Sequence, residues 1–111
     1  MKLFGIKDSE GELYFHLEKT KEALSIISKI EYILYKDKGY EFEDRWQGRL
    51  PEKEVYAGYE EHGIYMGVFV SKERIHIIIR GLNSPEKRKE IKNLINKNYK
   101  MVKPHINPKT D

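Results

Sequence analysis

Over residues 12–17, Leu13, Phe15 and Leu17 alternate with Glu12, Tyr14 and His16. A period of two with one apolar face is that of a half-buried strand. Residues 2–7 predict a strand before it. The two are joined by Asp8-Ser9-Glu10-Gly11, where Asp opening and Gly closing suit a four-residue type I turn. The period then lengthens. From 19 to 38, Ala23, Ile27, Ile30 and Leu34 recur at helical spacing, and Ile26 and Ile33 widen the stripe. Thr20 is the expected N-cap of this helix. Lys36 and Lys38 meet the dipole in its last turn, and Gly39 is the expected left-handed stop.

Alternation returns at 40–46, where Tyr40 and Phe42 face Glu41 and Glu43, a candidate edge strand. Residues 47–53, with Gly48 and Pro51, read as a loop. Strands are expected over 55–60, 64–71 and 74–80, with connections short enough to force antiparallel hairpins. The run Ile77-Ile78-Ile79 marks the last of these as a central strand. Ser84-Pro85-Glu86 then starts a second helix: Ser84 caps, Pro85 takes the first helical position and Glu86 meets the dipole. Ile91, Leu94, Ile95 and Tyr99 are its apolar stripe. It should end before Pro104, leaving 104–111 as a tail.

The order β-β-α-(β)-β-β-β-α predicts one α+β domain over residues 1–103. Its simplest form is two layers: an antiparallel sheet of five strands, or six with 40–46, and both helices on one face. The other face of the sheet then meets water, a ligand or a partner. Alternation directs Tyr14, His16, Tyr56, Tyr65, Phe69, His76 and Arg80 to it, with Gly58 and Gly67 leaving a shallow depression. Aromatic rings stack unpaired bases for about 1–3 kcal/mol each, and Arg and His contact phosphate. The plainer reading of the same patch is a homodimer interface, or a face partly covered by the 40–53 segment.

Composition narrows the chemistry. A chain of 111 residues builds one core. With no Cys there is no disulfide scaffold, zinc–thiolate site, iron–sulfur cluster or thiol nucleophile. The first residues lack the long apolar core of a signal peptide, and no apolar run approaches the ~20 residues needed to span a bilayer. A soluble, cytoplasmic protein is expected. Charged residues are 35 %, against a usual ~25 %. Abundant Lys and Glu with few thermolabile residues fit a thermophile, and an AT-rich genome gives similar Lys usage.

The net charge of +3 is unevenly placed. Residues 84–111 hold eight cations against three anions, and residues 1–83 hold thirteen against fifteen. On the second helix Lys89, Lys92, Asn96 and Lys100 lie opposite the apolar stripe. Such a row can neutralise phosphates, or simply be solvated. Arg45-Trp46-Gln47-Gly48-Arg49 sets the single Trp between two of five arginines, a combination suited to a binding loop or to a Trp packed over the end of the sheet.

None of His16, His62, His76 and His105 has a metal-ligand spacing, so neither a metal nor a cofactor is expected. There is no phosphate-binding loop, dinucleotide fingerprint or nucleophile elbow. The expectation is therefore a non-enzymatic binding module that self-associates or binds nucleic acid or an acidic protein partner. The surfaces in question are the aromatic sheet face, the Arg45–Arg49 loop and the basic last helix. The alternative is a metal-independent ribonuclease in which His16 and His76 act with Arg80 and Tyr65 on that face.

Overall fold

The computed structural model describes residues 1–39, 46–53 and 55–102; the side chains of residues 56, 57, 59 and 61 lie outside the description. Strands β1 (Lys2–Ser9) and β2 (Glu12–Glu18) form the first hairpin. Ser9 already pairs with Glu12, so the loop is Glu10-Gly11, one residue beyond the expected turn. Asp8 does not open that turn because its carboxylate is drawn to Arg88 and Lys92. After α1 (Ala23–Tyr35) come β3 (Val55–Glu61), β4 (Ile64–Val70) and β5 (Arg74–Arg80), an antiparallel meander. His62 and Gly63 join β3 to β4 with φ of 53° and 79°, the two left-handed residues of a type I′ turn.

Helix α2 (Pro85–Asn98) follows, and then β6 (Lys100–Met101). The sheet runs β3-β4-β5-β2-β1-β6. The fold is α+β, as expected, with two helices on one face of the sheet. Its sixth strand differs from the expectation. The segment 40–45 lies outside the described residues, and the strand found is β6, parallel to β1, which makes the sheet mixed. It forms because Tyr99 leaves the helix at φ −130°, ψ 146°. Lys100 N–H and Val102 N–H then donate to the carbonyls of Met1 and Leu3, each at 2.9 Å.

The first helix also starts later than its stripe suggests. Thr20 does not cap it: its carbonyl accepts from Ala23 N–H at 3.1 Å, and its hydroxyl points to Met1 Sδ at 2.8 Å. Glu22 takes the N-cap position without a side-chain bond. After Tyr35 the chain tightens into a 3-10 turn (Lys36–Lys38) and stops at Gly39, φ 72°. The second helix begins as expected: Lys87 N–H donates to Ser84 Oγ, and Pro85 is the first helical residue.

The inward-facing apolar residues of β2, β4 and β5 are buried. Leu13, Phe15 and Leu17 meet Ile75, Ile77 and Ile79 from β5 and Met66, Val68 and Val70 from β4. The helices cover them with Ile26, Ile27, Ile30 and Leu34 from α1 and Ile91 and Ile95 from α2. Each fully buried side chain of this kind contributes roughly 1.5–3 kcal/mol, against about 0–1 for an exposed ion pair. Packing therefore sets the layer, and charge pairs fix how α2 sits on it. Arg88 grips Asp8 and donates to the carbonyls of Ser9, Glu12 and Leu82. Lys92 joins the same carboxylate at 2.7 Å, and Lys87 reaches Asp37 at 2.6 Å.

Gly81 holds two turns together. Its N–H donates to Gly11 O at 3.0 Å, and it lies against the Gly63 carbonyl so closely that a Cβ would not fit. Its φ of 78° adds a second reason for glycine there.

Candidate functional site

The register lines up one row across the open face of the sheet. Gly5 of β1 pairs with His16, His16 with His76, His76 with Phe69, and Phe69 with Tyr56. The next row carries Lys7, Tyr14, Ile78, Gly67 and Gly58. The expected depression of Gly58 and Gly67 is thus a cross-strand glycine pair beside half-buried Ile78. One row further on, Glu12 pairs with Arg80 and Arg80 with Tyr65.

His16 and His76 stack, with ring centroids 4.1 Å apart and planes 20° from parallel. Stacked side by side across two strands, the rings present their edges to solvent. Phe4 flanks the pair at 5.2 Å from His16, and Phe69 meets His76 edge-on at 5.8 Å. Among the described residues each imidazole makes one polar contact. The Tyr14 hydroxyl and His76 Nδ1 are 2.6 Å apart, and Arg74 Nη1 lies 3.2 Å from His16 Nε2. A guanidinium can only donate, so His16 Nε2 accepts and its proton sits on Nδ1. The Arg74 guanidinium also lies 3.9 Å over the ring of Phe4.

Burial is the main reason that both imidazoles sit below their ordinary range. For His16 the neighbouring His76 and Arg74 add to it, and for His76 Arg74 does. Burial also pushes the Tyr14 phenol up. At neutral pH the cluster is thus two neutral imidazoles, a protonated phenol and one guanidinium.

Two members of this cluster were not expected. Phe4 faces outward because the register shifts between Leu3 and Gly5. This bulge turns a residue that strict alternation would send inward, with Ile6, onto the open face. Arg74 pairs in register with Glu18, diagonal to His16, and takes the place expected of Arg80. Arg80 lies four residues along β5 from His76, roughly 13 Å at strand rise. There it pairs with Glu12 at 3.3 Å and passes 5.9 Å over Tyr65. The two histidines therefore converge, but Arg80 and Tyr65 form a separate group.

The remaining candidates are dispersed. Tyr56 is placed by backbone register only. Arg45 lies outside the described residues. Trp46 is half-buried against the core, and Arg49 is exposed, its N–H closing a tight turn on Trp46 O at 2.9 Å. Lys89 and Lys92 are on α2, on the opposite side of the sheet from the rings, with Lys92 bound to Asp8. Lys100 is exposed on edge strand β6. Among the described residues no group of three or more His, Asp or Glu could hold a metal ion, and no helix is long and apolar enough to cross a membrane. Compared with known protein families, curated proteins and solved structures, the chain matches none.

Proposed function

We propose that this protein is a non-enzymatic binding module whose open sheet face takes single-stranded nucleic acid. The observation that carries this reading is the row Phe4–His16–His76–Phe69, with the Arg74 guanidinium laid against its end. Unpaired bases find aromatic surface at Phe69 and beside the Arg74–Phe4 pair. The outward edges of the imidazoles and the guanidinium offer donors to phosphate and base edges.

The stacking of His16 on His76 favours binding over cleavage. In-line phosphoryl transfer puts the attacking and leaving oxygens on opposite sides of phosphorus, so its acid and base must straddle the phosphate. Two rings in van der Waals contact leave no room between them. With Arg80 far along the strand, the geometry gives the ribonuclease reading less support.

The test is fluorescence anisotropy of a labelled short single strand at low and moderate salt. Micromolar binding that weakens with salt and with Arg74→Gln or Phe69→Ala is the expected result. No binding at low salt sinks the proposal. A second reading, self-association, rests on the uncharged Gly58–Gly67–Ile78 strip, where two copies could meet back to back. A dimer by light scattering that Ile78→Glu disperses is its expected result; a strict monomer at high concentration excludes it.

A further inference from the structure

Two clefts meet at the end of the sheet where β4 turns into β5. One, of about 590 Å³, is lined by Glu52, Lys53, Ser71, Lys72, Glu73 and Arg74. The other, of about 450 Å³, includes Lys19, Lys21, Arg49, Leu50, Glu52 and Lys72 in its walls. They share Glu52 and Lys72 in their walls, so they adjoin. One end of this depression is Arg74, which touches His16 on the open face. The other end is Arg49, on the turn anchored by Trp46, and Lys21 beside α1.

Among the described residues the charge along this path is one-sided. Its cations are Lys19, Lys21, Arg49, Lys53, Lys72 and Arg74, against the carboxylates Glu52 and Glu73. Lys19 is committed to the carbonyl of Pro51. Lys21, Arg49, Lys53 and Lys72 are exposed and make no ion pair among the described residues. The contrast with α2 decides where a polyanion would run. There Lys87, Arg88 and Lys92 are already held by Asp37 and Asp8. Three of the five cations of α2 are spent on the fold, whereas four of the six along the cleft make no ion pair among the described residues.

Resting on the nucleic-acid reading of the open face, we infer that the sugar–phosphate backbone of a bound single strand leaves that face past Arg74. It then follows the cleft over Lys53 and Lys72 to Arg49 and Lys21. The bases on the open face make the short-range contacts, and the cleft adds contacts to phosphate alone. Strands long enough to reach the cleft therefore bind more tightly and with a steeper salt dependence than strands that cover only the face. For single strands each neutralised phosphate contributes about 0.7 to the slope of log affinity against log salt.

The experiment compares two labelled oligothymidylates, one of about five nucleotides and one of about fifteen. They are titrated against the full chain and its Lys21→Gln/Arg49→Gln/Lys72→Gln triple variant. All three side chains are exposed, so folding should survive, which circular dichroism checks. The expected result is a loss of about tenfold or more for the long strand, a salt slope smaller by about 2, and little change for the short strand. Equal losses for both lengths, or none for the long strand while Arg74→Gln still weakens both, overturn the path and leave the face reading standing. If neither strand binds the unaltered chain, the face reading fails and the path with it.

Discussion

The Tyr14 hydroxyl lies 2.6 Å from Nδ1 of His76, across the ladder that joins β2 to β5. Both groups are half-buried, so neither is fully compensated by water when the other is removed. We expect Tyr14→Phe to cost about 1 kcal/mol, the net worth of a typical hydrogen bond. Urea denaturation measures it. An unchanged midpoint would mean that water replaces the phenol without loss.

The two imidazoles should make the protein acid-sensitive above the range where carboxylates titrate. Both are held below the ordinary value of 6.5, His16 by burial, His76 and Arg74, and His76 by burial and Arg74. Just below pH 6.5 the unfolded chain therefore binds more protons than the native one. Their contribution is complete above 6.5 and is lost as pH falls through the folded-state values. Asp8 and Asp37 are held below 3.8, chiefly by bonds from Lys92 and Lys87, and act only at lower pH. We expect a lower urea midpoint at pH 5.5 than at 7.5, and a narrower gap in the His16→Gln/His76→Gln variant. A gap of the same width in that variant would place the acid sensitivity elsewhere.

Arg88 and Lys92 share Asp8 but should differ in weight. The Arg88 side chain is only 17 % exposed and also serves three backbone carbonyls, whereas Lys92 is 37 % exposed and among the described residues meets Asp8 alone. Arg88→Ala is expected to cost about 2–3 kcal/mol, and Lys92→Ala under about 1 kcal/mol. Similar values for the two would show that the carbonyl contacts add nothing.

Gly81 and Gly11 separate backbone strain from crowding. Both have left-handed φ, 78° and 76°, but only at Gly81 would a Cβ run into another backbone, that of Gly63. Gly11→Ala should cost about 1–2 kcal/mol, the penalty of φ alone. Gly81→Ala should cost clearly more, because neither turn can move without breaking the other. Thermal melts of the two variants compare them directly.

Tyr99 is expected to be a site where removing a polar group helps. Its ring is 2 % exposed, its hydroxyl has no hydrogen-bond partner among the described residues, and its acidity is pushed up to about 12, mainly by burial and then by Glu18 and Glu22. Tyr99→Phe removes an unsatisfied buried oxygen and should be neutral or stabilising by about 1 kcal/mol. A clear loss of stability would reveal a partner for the hydroxyl.

The residues most legible in the sequence were those whose neighbours along the chain decide their place. The alternation in β2, β4 and β5 put Tyr14, His16, Phe69 and His76 on one face, and short turns fixed β3, β4 and β5 as a meander. Ser84 and Pro85 were readable because a cap acts within one turn. What escaped depends on distant partners. Phe4 faces outward through a bulge that alternation does not contain. Arg74 rather than Arg80 reaches the histidines because the β2–β5 register, set by packing, puts it diagonal to His16. Thr20 yields its capping role to a contact with Met1, and β6 exists because β1 has a free edge for it. The surplus charge of the last helix looked like a binding surface, until Asp8 and Asp37 were found to hold most of it in place.

The β2–β5 ladder has a kinetic consequence. It joins two blocks that each fold back on near neighbours in sequence, β1 with β2 and β3 with β4 and β5. Closing it brings together residues such as Tyr14 and His76, 62 positions apart. The entropy of closing that loop comes due before the ladder's contacts can repay it, which makes this seam the slow step expected of folding. The ring cluster on the outer surface is then also the latch between two halves formed earlier, and its assembly marks the moment at which the chain commits to its native topology.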